Sequence, residues 1–370
     1  MKPILRFTNF DNDWEEIELL KIASEISYGM NAASKEYDGE NKYIRITDID
    51  EQTNKYTHKN IVSPDGDLEE KFLVKENDIL FARTGASTGK TYLYDKNDGK
   101  LYYAGFLIKA NIINHNANFI FQQTKLNKYN NWVKIMSMRS GQPGINSQEY
   151  GSYKFSITSP KEENKVSNFL SLLDKKIELQ SKKIEDLKLF KLSIKNNIFK
   201  SFDKEQKMSI EELLEFEQPT KYIVKSEEYT DNRDDIPVLT ANKAFILGYC
   251  KEGNFYNKEC IIFDDFTLDM KYVNFAFKVK SSAIKILTPK ENINIKYIYE
   301  YMQFLNLHSE EHKRHYISIV QKIQIPVPIF EIQNKIATQL NCFDSKIELE
   351  NNKLLKLTEL KKGLMQNMFV

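Results

Sequence analysis

The chain has 370 residues, 41% of them hydrophobic and 28% charged, with 13 Gly and 9 Pro; it is long enough for two or three domains and too apolar to be disordered. A formal net charge of +1 gives no global argument for a nucleic-acid partner, so such a partner has to be argued from local clusters. Cys250, Cys260 and Cys342 have neither an even count nor metal-type spacing and read as idle thiols in a reducing compartment; with no apolar run of bilayer length and no apolar core in the first residues, the expected location is cytoplasmic, with no membrane partner.

Residues 1–159 read as a mixed domain of short strands. Tyr43-Ile44-Arg45-Ile46 alternates like a half-buried strand, and Ile79-Leu80-Phe81-Ala82 is the continuous apolar run of a buried one. Gly85-Ala86-Ser87-Thr88-Gly89-Lys90-Thr91 follows with nearly the letters of a phosphate-binding loop. That loop needs its first glycine at position 84, where Thr84 stands, so a glycine-rich turn between strands is the better reading. Residues 202–328 form a second stretch of the same kind, with Ile236-Pro237-Val238-Leu239-Thr240 and Ile261-Ile262-Phe263 in similar places. His308-Ser309-Glu310-Glu311-His312 fits a zinc-helix pattern but lacks an evident third ligand. A solvated basic helix through Lys313 and Arg314 is the simpler reading.

Residues 160–201 and 329–370 are helical by pattern and are copies of one another. Asn164 to Lys200 reappears without a gap as Asn334 to Val370, always 170 residues on. A long internal period signals two equivalent units. Apolar residues recur at alternating steps of four and three: Val166, Leu170, Leu173, Ile177, Ile184, Leu187, and in the second copy Ile336, Leu340, Phe343, Ile347, Leu354, Leu357. This is a heptad seam about five heptads long, interrupted by Gln180 and Lys191 in the first copy and by Glu350 and Lys361 in the second. An antiparallel pair that sets Lys191 against Glu350 and Gln180 against Lys361 makes every polar interruption meet another, and a one-heptad shift would bury a charge unpaired. That register is the one expected.

Leu5-Arg6-Phe7-Thr8-Asn9-Phe10 with Asp13-Trp14-Glu15, the segment Asn77 to Gly85, the doubled Leu173-Asp174-Lys175-Lys176-Ile177-Glu178-Leu179 type of helix, and Tyr316 to Val320 running into Ile325-Pro326-Val327-Pro328 resemble the DNA-specificity subunits of type I restriction-modification systems. The resemblance covers essentially the whole chain. It implies an α+β fold: two mixed target-recognition domains separated by two long helices that form an antiparallel coiled coil with an internal pseudo-two-fold repeat. It also implies a non-catalytic adaptor. Each domain would read half of a bipartite double-stranded DNA site, and the helices would set the gap and dock two methyltransferase subunits, which a restriction and translocase subunit would join. S-adenosylmethionine, ATP and Mg would then act in those partners and not in this chain. The rival reading is a two-domain interaction scaffold on a coiled-coil rod, without DNA.

For DNA contacts the candidates in the first domain are Arg83, Thr84, Ser87, Thr88 and Lys90 on the glycine-rich turn, and Arg139, Ser140 and Gln142 near Gly141 to Gly144. In the second domain they are Asn242, Lys243, Lys313, Arg314 and His315. Glycine turns let a backbone approach phosphates, and Arg, Asn and Gln can contact base edges through two hydrogen bonds. Asp264-Asp265-Phe266-Thr267 stands where the first domain has Ala82-Arg83-Thr84-Gly85, so the two domains are expected to read different bases.

Overall fold

A computed structural model describes every residue except 139–142, 203–204, 226–228, 242–244, 252 and 309–312. The chain divides into two units, one of Met1–Leu179 with Leu354–Val370 and one of Gln180–Lys353. Each unit therefore holds a mixed domain together with part of both long helices.

The first unit is built on a four-stranded antiparallel sheet in the order Ala23–Tyr28, Leu107–Ile112, Asp78–Ala82, Thr91–Leu93. The apolar run in Asp78–Ala82 is buried on both faces because cores lie on both sides. Ile79 and Phe81 point into a core with Ile108, Phe119, Tyr150, Val166 and Leu170. Leu80 and Ala82 point the other way, to Ile44, Tyr92, Leu101, Tyr103 and Leu107, as the two-residue period of a strand requires. Full burial of a Phe side chain contributes about 1.5–3 kcal/mol. Lys42–Ile44 pairs parallel with Leu101–Tyr103. This strand is shorter than the expected alternating run: it stops at Ile44, where the Arg45 backbone N–H and guanidinium both donate to Asp48 and turn the chain into a 3-10 helix over Ile46–Asp48.

The second unit repeats this plan. Its sheet runs Leu214–Glu217, Ile284–Pro289, Cys260–Asp264, Met270–Val273, again antiparallel throughout. Ile261 and Phe263 face one core with Leu287, Tyr297, Ile336 and Leu340. Cys260 and Ile262 face another with Leu239, Val273 and Ile286. Ile236–Leu239 pairs parallel with Lys278–Val279, matching the parallel pair of the first unit.

The long helices span Pro160–Ser201 and Phe330–Met368. Pro160 takes the first helical position, where a missing N–H costs nothing. Where each helix leaves its domain the same junction recurs. Asn116 caps the helix Ala117–Gln123 and donates its amide to Asn164 at 2.6 Å. Asn294 caps Ile295–Leu305 and donates to Asn334, also at 2.6 Å. Asn164 and Asn334 are the first residues of the ungapped repeat. In the first unit Arg6 donates twice to Glu162, at 2.7 and 2.8 Å, and the Trp14 indole joins them at 3.2 Å. The amino-terminal motif residues thus hold the start of the helix.

Within each unit the two helix segments run antiparallel, but not in the expected register. Lys191 does not meet Glu350; it lies six residues further along, against Asp344 at 2.6 Å, and also donates to Glu300 at 2.8 Å. Lys361 pairs in its own unit with Asp174, the counterpart of Asp344 in the repeat. Gln180 donates to the Glu350 carboxylate at 2.7 Å, and Lys183 reaches the same carboxylate at 3.0 Å. The pairing is displaced by about one heptad. Long lysine stems run out of the seam to carboxylates beside it, so polar residues on the seam need not face each other and apolar packing decides the register. Among the described residues no helix is long and apolar enough to cross a membrane.

Candidate nucleic-acid interface

In the first unit the strand Asp78–Ala82 delivers Arg83, and the chain turns back over Gly85–Ser87 into the antiparallel strand Thr91–Leu93. The segment is a hairpin connection between strands, without the helix that a phosphate-binding loop would open. Gly85 has φ +67°, in the left-handed region that favours glycine. At Gly89, with φ +89°, an added Cβ would lie 2.5 Å from Val133 Cγ1, so only glycine fits there. The Thr88 hydroxyl donates to the Gly85 carbonyl at 2.8 Å. Residues 143–145 are sewn onto the turn: Gly85 N–H donates to the Pro143 carbonyl at 3.0 Å, and Ile145 N–H donates to the Arg83 carbonyl at 2.9 Å.

The Arg83 guanidinium stacks over the Tyr28 ring at 4.8 Å, and the Tyr28 hydroxyl accepts from Ser147 N–H at 3.1 Å. Partial burial pushes that hydroxyl up, but the Ser147 bonds and the Arg83 charge outweigh it and leave it below its ordinary pKa of 10.0. Phe106, whose carbonyl accepts from Arg83 N–H at 3.0 Å, is 60% exposed. Arg83, Thr84, Ser87 and Thr88 therefore share one partly exposed turn. Lys90 belongs to it in sequence but is ion-paired with Glu51 at 2.7 Å. Arg139, Ser140 and Gln142 lie outside the described residues.

The second unit has the same backbone with different chemistry. Asp265 N–H donates to the Ala283 carbonyl at 3.0 Å as Arg83 N–H does to Phe106, and His315 N–H donates to the Asp265 carbonyl at 3.0 Å as Ile145 does to Arg83. Asp265 thus occupies the place of Arg83. Its carboxylate turns inward, 2% exposed, accepting from the backbone N–H groups of His315 and Tyr316 at 3.1 and 2.8 Å and lying 3.5 Å from the buried Lys285 ammonium. The candidate His315 is consequently interior, 2% exposed; its backbone is tied to Asp265, which removes it from any DNA-contacting surface in this conformation. Lys313 and Arg314 are exposed, and the Arg314 guanidinium lies 5.8 Å over the Phe266 ring. Asn242 and Lys243 lie outside the described residues, as does His312 of the zinc-like pattern; His308 points Nδ1 at the Asn306 carbonyl.

Sequence reasoning missed Tyr28, Phe106 and Phe266. No motif marks them: strand pairing alone brings Tyr28 and Phe106 to Arg83, and the turn after Asp265 alone brings Phe266 to Arg314.

The model of the type I restriction modification DNA specificity domain matches residues 12–189 and again residues 203–359. The chain belongs to this family. Like the two units, the two matches divide the chain into halves of one kind. The type I restriction enzyme EcoR124I/EcoR124II specificity subunit of Escherichia coli is 45% identical over 125 residues, a match that spans 32% of this chain and 31% of that protein. Among solved structures, the S subunit of a type I restriction-modification system from M. genitalium has a TM-score of 0.69 at 16% identity, covering 100% of this chain and 99% of that one. A chain from a structure concerned with complex assembly and conformational transition of the type I system has a TM-score of 0.56 at 14% identity, covering 96% and 97%. Both likenesses establish the specificity-subunit fold for this chain.

Proposed function

We propose that this chain is a non-catalytic DNA-specificity subunit of a type I restriction-modification complex, in which each domain reads one half of a bipartite duplex site. The observation that carries the reading is one backbone place in two chemical versions: the strand end that offers a stacked Arg83 in one unit turns Asp265 inward in the other and offers Arg314 on Phe266 instead. Two readers of one design with different surfaces suit a target whose halves differ. Arginine held on an aromatic face keeps its guanidinium edge free for guanine or phosphate, which favours DNA over a scaffold without it.

The doubled helix sets the gap between half-sites and docks two copies of a methyltransferase subunit, one on each repeat, with restriction and translocase subunits joining them. S-adenosylmethionine, ATP and Mg serve chemistry in those partners, and the complex works in the cytoplasm. The test is to co-express the chain with its methyltransferase subunit and map methylated sites. Replacing Arg83 is expected to relax one half-site, and replacing Lys313 and Arg314 the other, each base contact being worth about 1–3 kcal/mol. Methylation unaffected by any of these substitutions would overturn the reading.

A further inference from the structure

Phe106 is the most exposed aromatic side chain among the described residues. It follows Gly105 in a tight turn closed by Leu107 N–H donating to the Ala104 carbonyl at 2.8 Å, and Gly105 N–H donates to the Met30 carbonyl at 2.7 Å. The turn is therefore fixed and the ring, 60% exposed, is presented on a rigid support. Ala82 pairs with Leu107 across the sheet, and just beyond that pair Arg83 N–H donates to the Phe106 carbonyl at 3.0 Å, so Arg83 and Phe106 are backbone neighbours at the end of the sheet. Tyr28 pairs with Ile108 and carries Arg83. One cation and two aromatic residues thus share the end of one sheet. The second unit has Ala283 at the place of Phe106 and draws its exposed ring from Phe266, so the two strand ends carry their apolar groups at different positions.

We propose that Phe106 is an apolar wedge that enters a base step of the half-site read by the first domain, with Arg83 and Tyr28 beside it holding the adjacent backbone and base edge. The proposal rests on the DNA reading above and adds to it a local unstacking of the duplex. Apolar wedges between base steps kink DNA and select for steps that unstack easily, so Phe106 contributes specificity at a step it need not contact by hydrogen bonds.

The test uses the full chain and a duplex carrying its mapped site, with 2-aminopurine placed at successive positions of both half-sites, at concentrations that saturate binding. Wild type and Phe106→Trp are expected to raise 2-aminopurine emission at one step of one half-site. Phe106→Ala is expected to lose that rise and to bind roughly 5- to 150-fold more weakly. Phe106→Ala retaining the rise, or saturable wild-type binding with no rise at any position, would overturn the wedge and leave the DNA reading standing. Failure of the wild type to bind the duplex at all would overturn both.

Discussion

Arg83 and Asp265 occupy equivalent positions at the ends of equivalent strands, receive equivalent backbone hydrogen bonds, and do opposite things. Arg83 lies outward on Tyr28 and Asp265 lies inward between Lys285 and the N–H groups of His315 and Tyr316. A repeated scaffold thus leaves the same position at a partly exposed rim in one copy and ties it into a buried, paired network in the other. A cation at the rim keeps its solvation, whereas a buried carboxylate persists only when it is fully paired.

The largest effect that can break this comparison is on stability. Asp265→Ala leaves the 1% exposed Lys285 without its carboxylate, and we expect a loss of about 3–5 kcal/mol. Arg83→Ala, at the same backbone place, should stay within about 0.5 kcal/mol. Denaturant unfolding with hydrogen exchange followed separately in the two units measures both; equal losses would refute the contrast.

The helix junctions offer a second comparison. Lys191 serves both Glu300, 1% exposed, and Asp344, while its repeat counterpart Lys361 serves the partly exposed Asp174. The first unit has Gln122 in the equivalent helix, donating to Asp174 at 3.3 Å, so no second carboxylate needs the lysine. Glu300 keeps Lys296 at 3.4 Å and Lys195 at 3.7 Å, so Lys191→Met should cost about 1.5–3 kcal/mol for its lost charged hydrogen bonds and Lys361→Met about 1 kcal/mol or less, a difference visible as a larger drop in denaturation midpoint for the first.

A smaller effect depends on pH. Hydrogen bonds from Gln180, Lys183 and Lys353 hold the Glu350 carboxyl at about 2, below its ordinary 4.5. A carboxyl depressed in the folded state contributes stability that is complete above its unfolded value and is lost as pH falls through the folded one. The second unit should therefore weaken between pH 4.5 and about 2, and Glu350→Gln should flatten that part of the profile. An unchanged acid limb in the variant would show that the contact is not maintained in solution.

Much of the architecture was legible in the sequence because it rests on periods. Ile79 to Ala82 and Ile261 to Phe263 read as buried strands, and each is buried on both faces; the repeat with its heptads announced the two long helices. Two things were not legible. The helix register failed because the partners of Lys191 and Lys361 are Asp344 and Asp174, which stand beside the seam, outside the pattern that was paired. The candidate surface was only half visible because Lys313, Arg314 and His315 look like one basic run, yet a buried aspartate fifty residues earlier captures the His315 backbone and turns its side chain inside. Contacts made across strands, such as Tyr28 with Arg83, leave no trace in local sequence.

If the domains read bases and the helices set the gap, the two roles can be separated in one variant. Deleting one heptad from each long helix removes about 10 Å of helix and leaves both strand ends untouched. Methylation-site mapping of that variant beside the parent should return both half-sites unchanged with a shorter gap between them. The same gap with altered bases would contradict the division of labour.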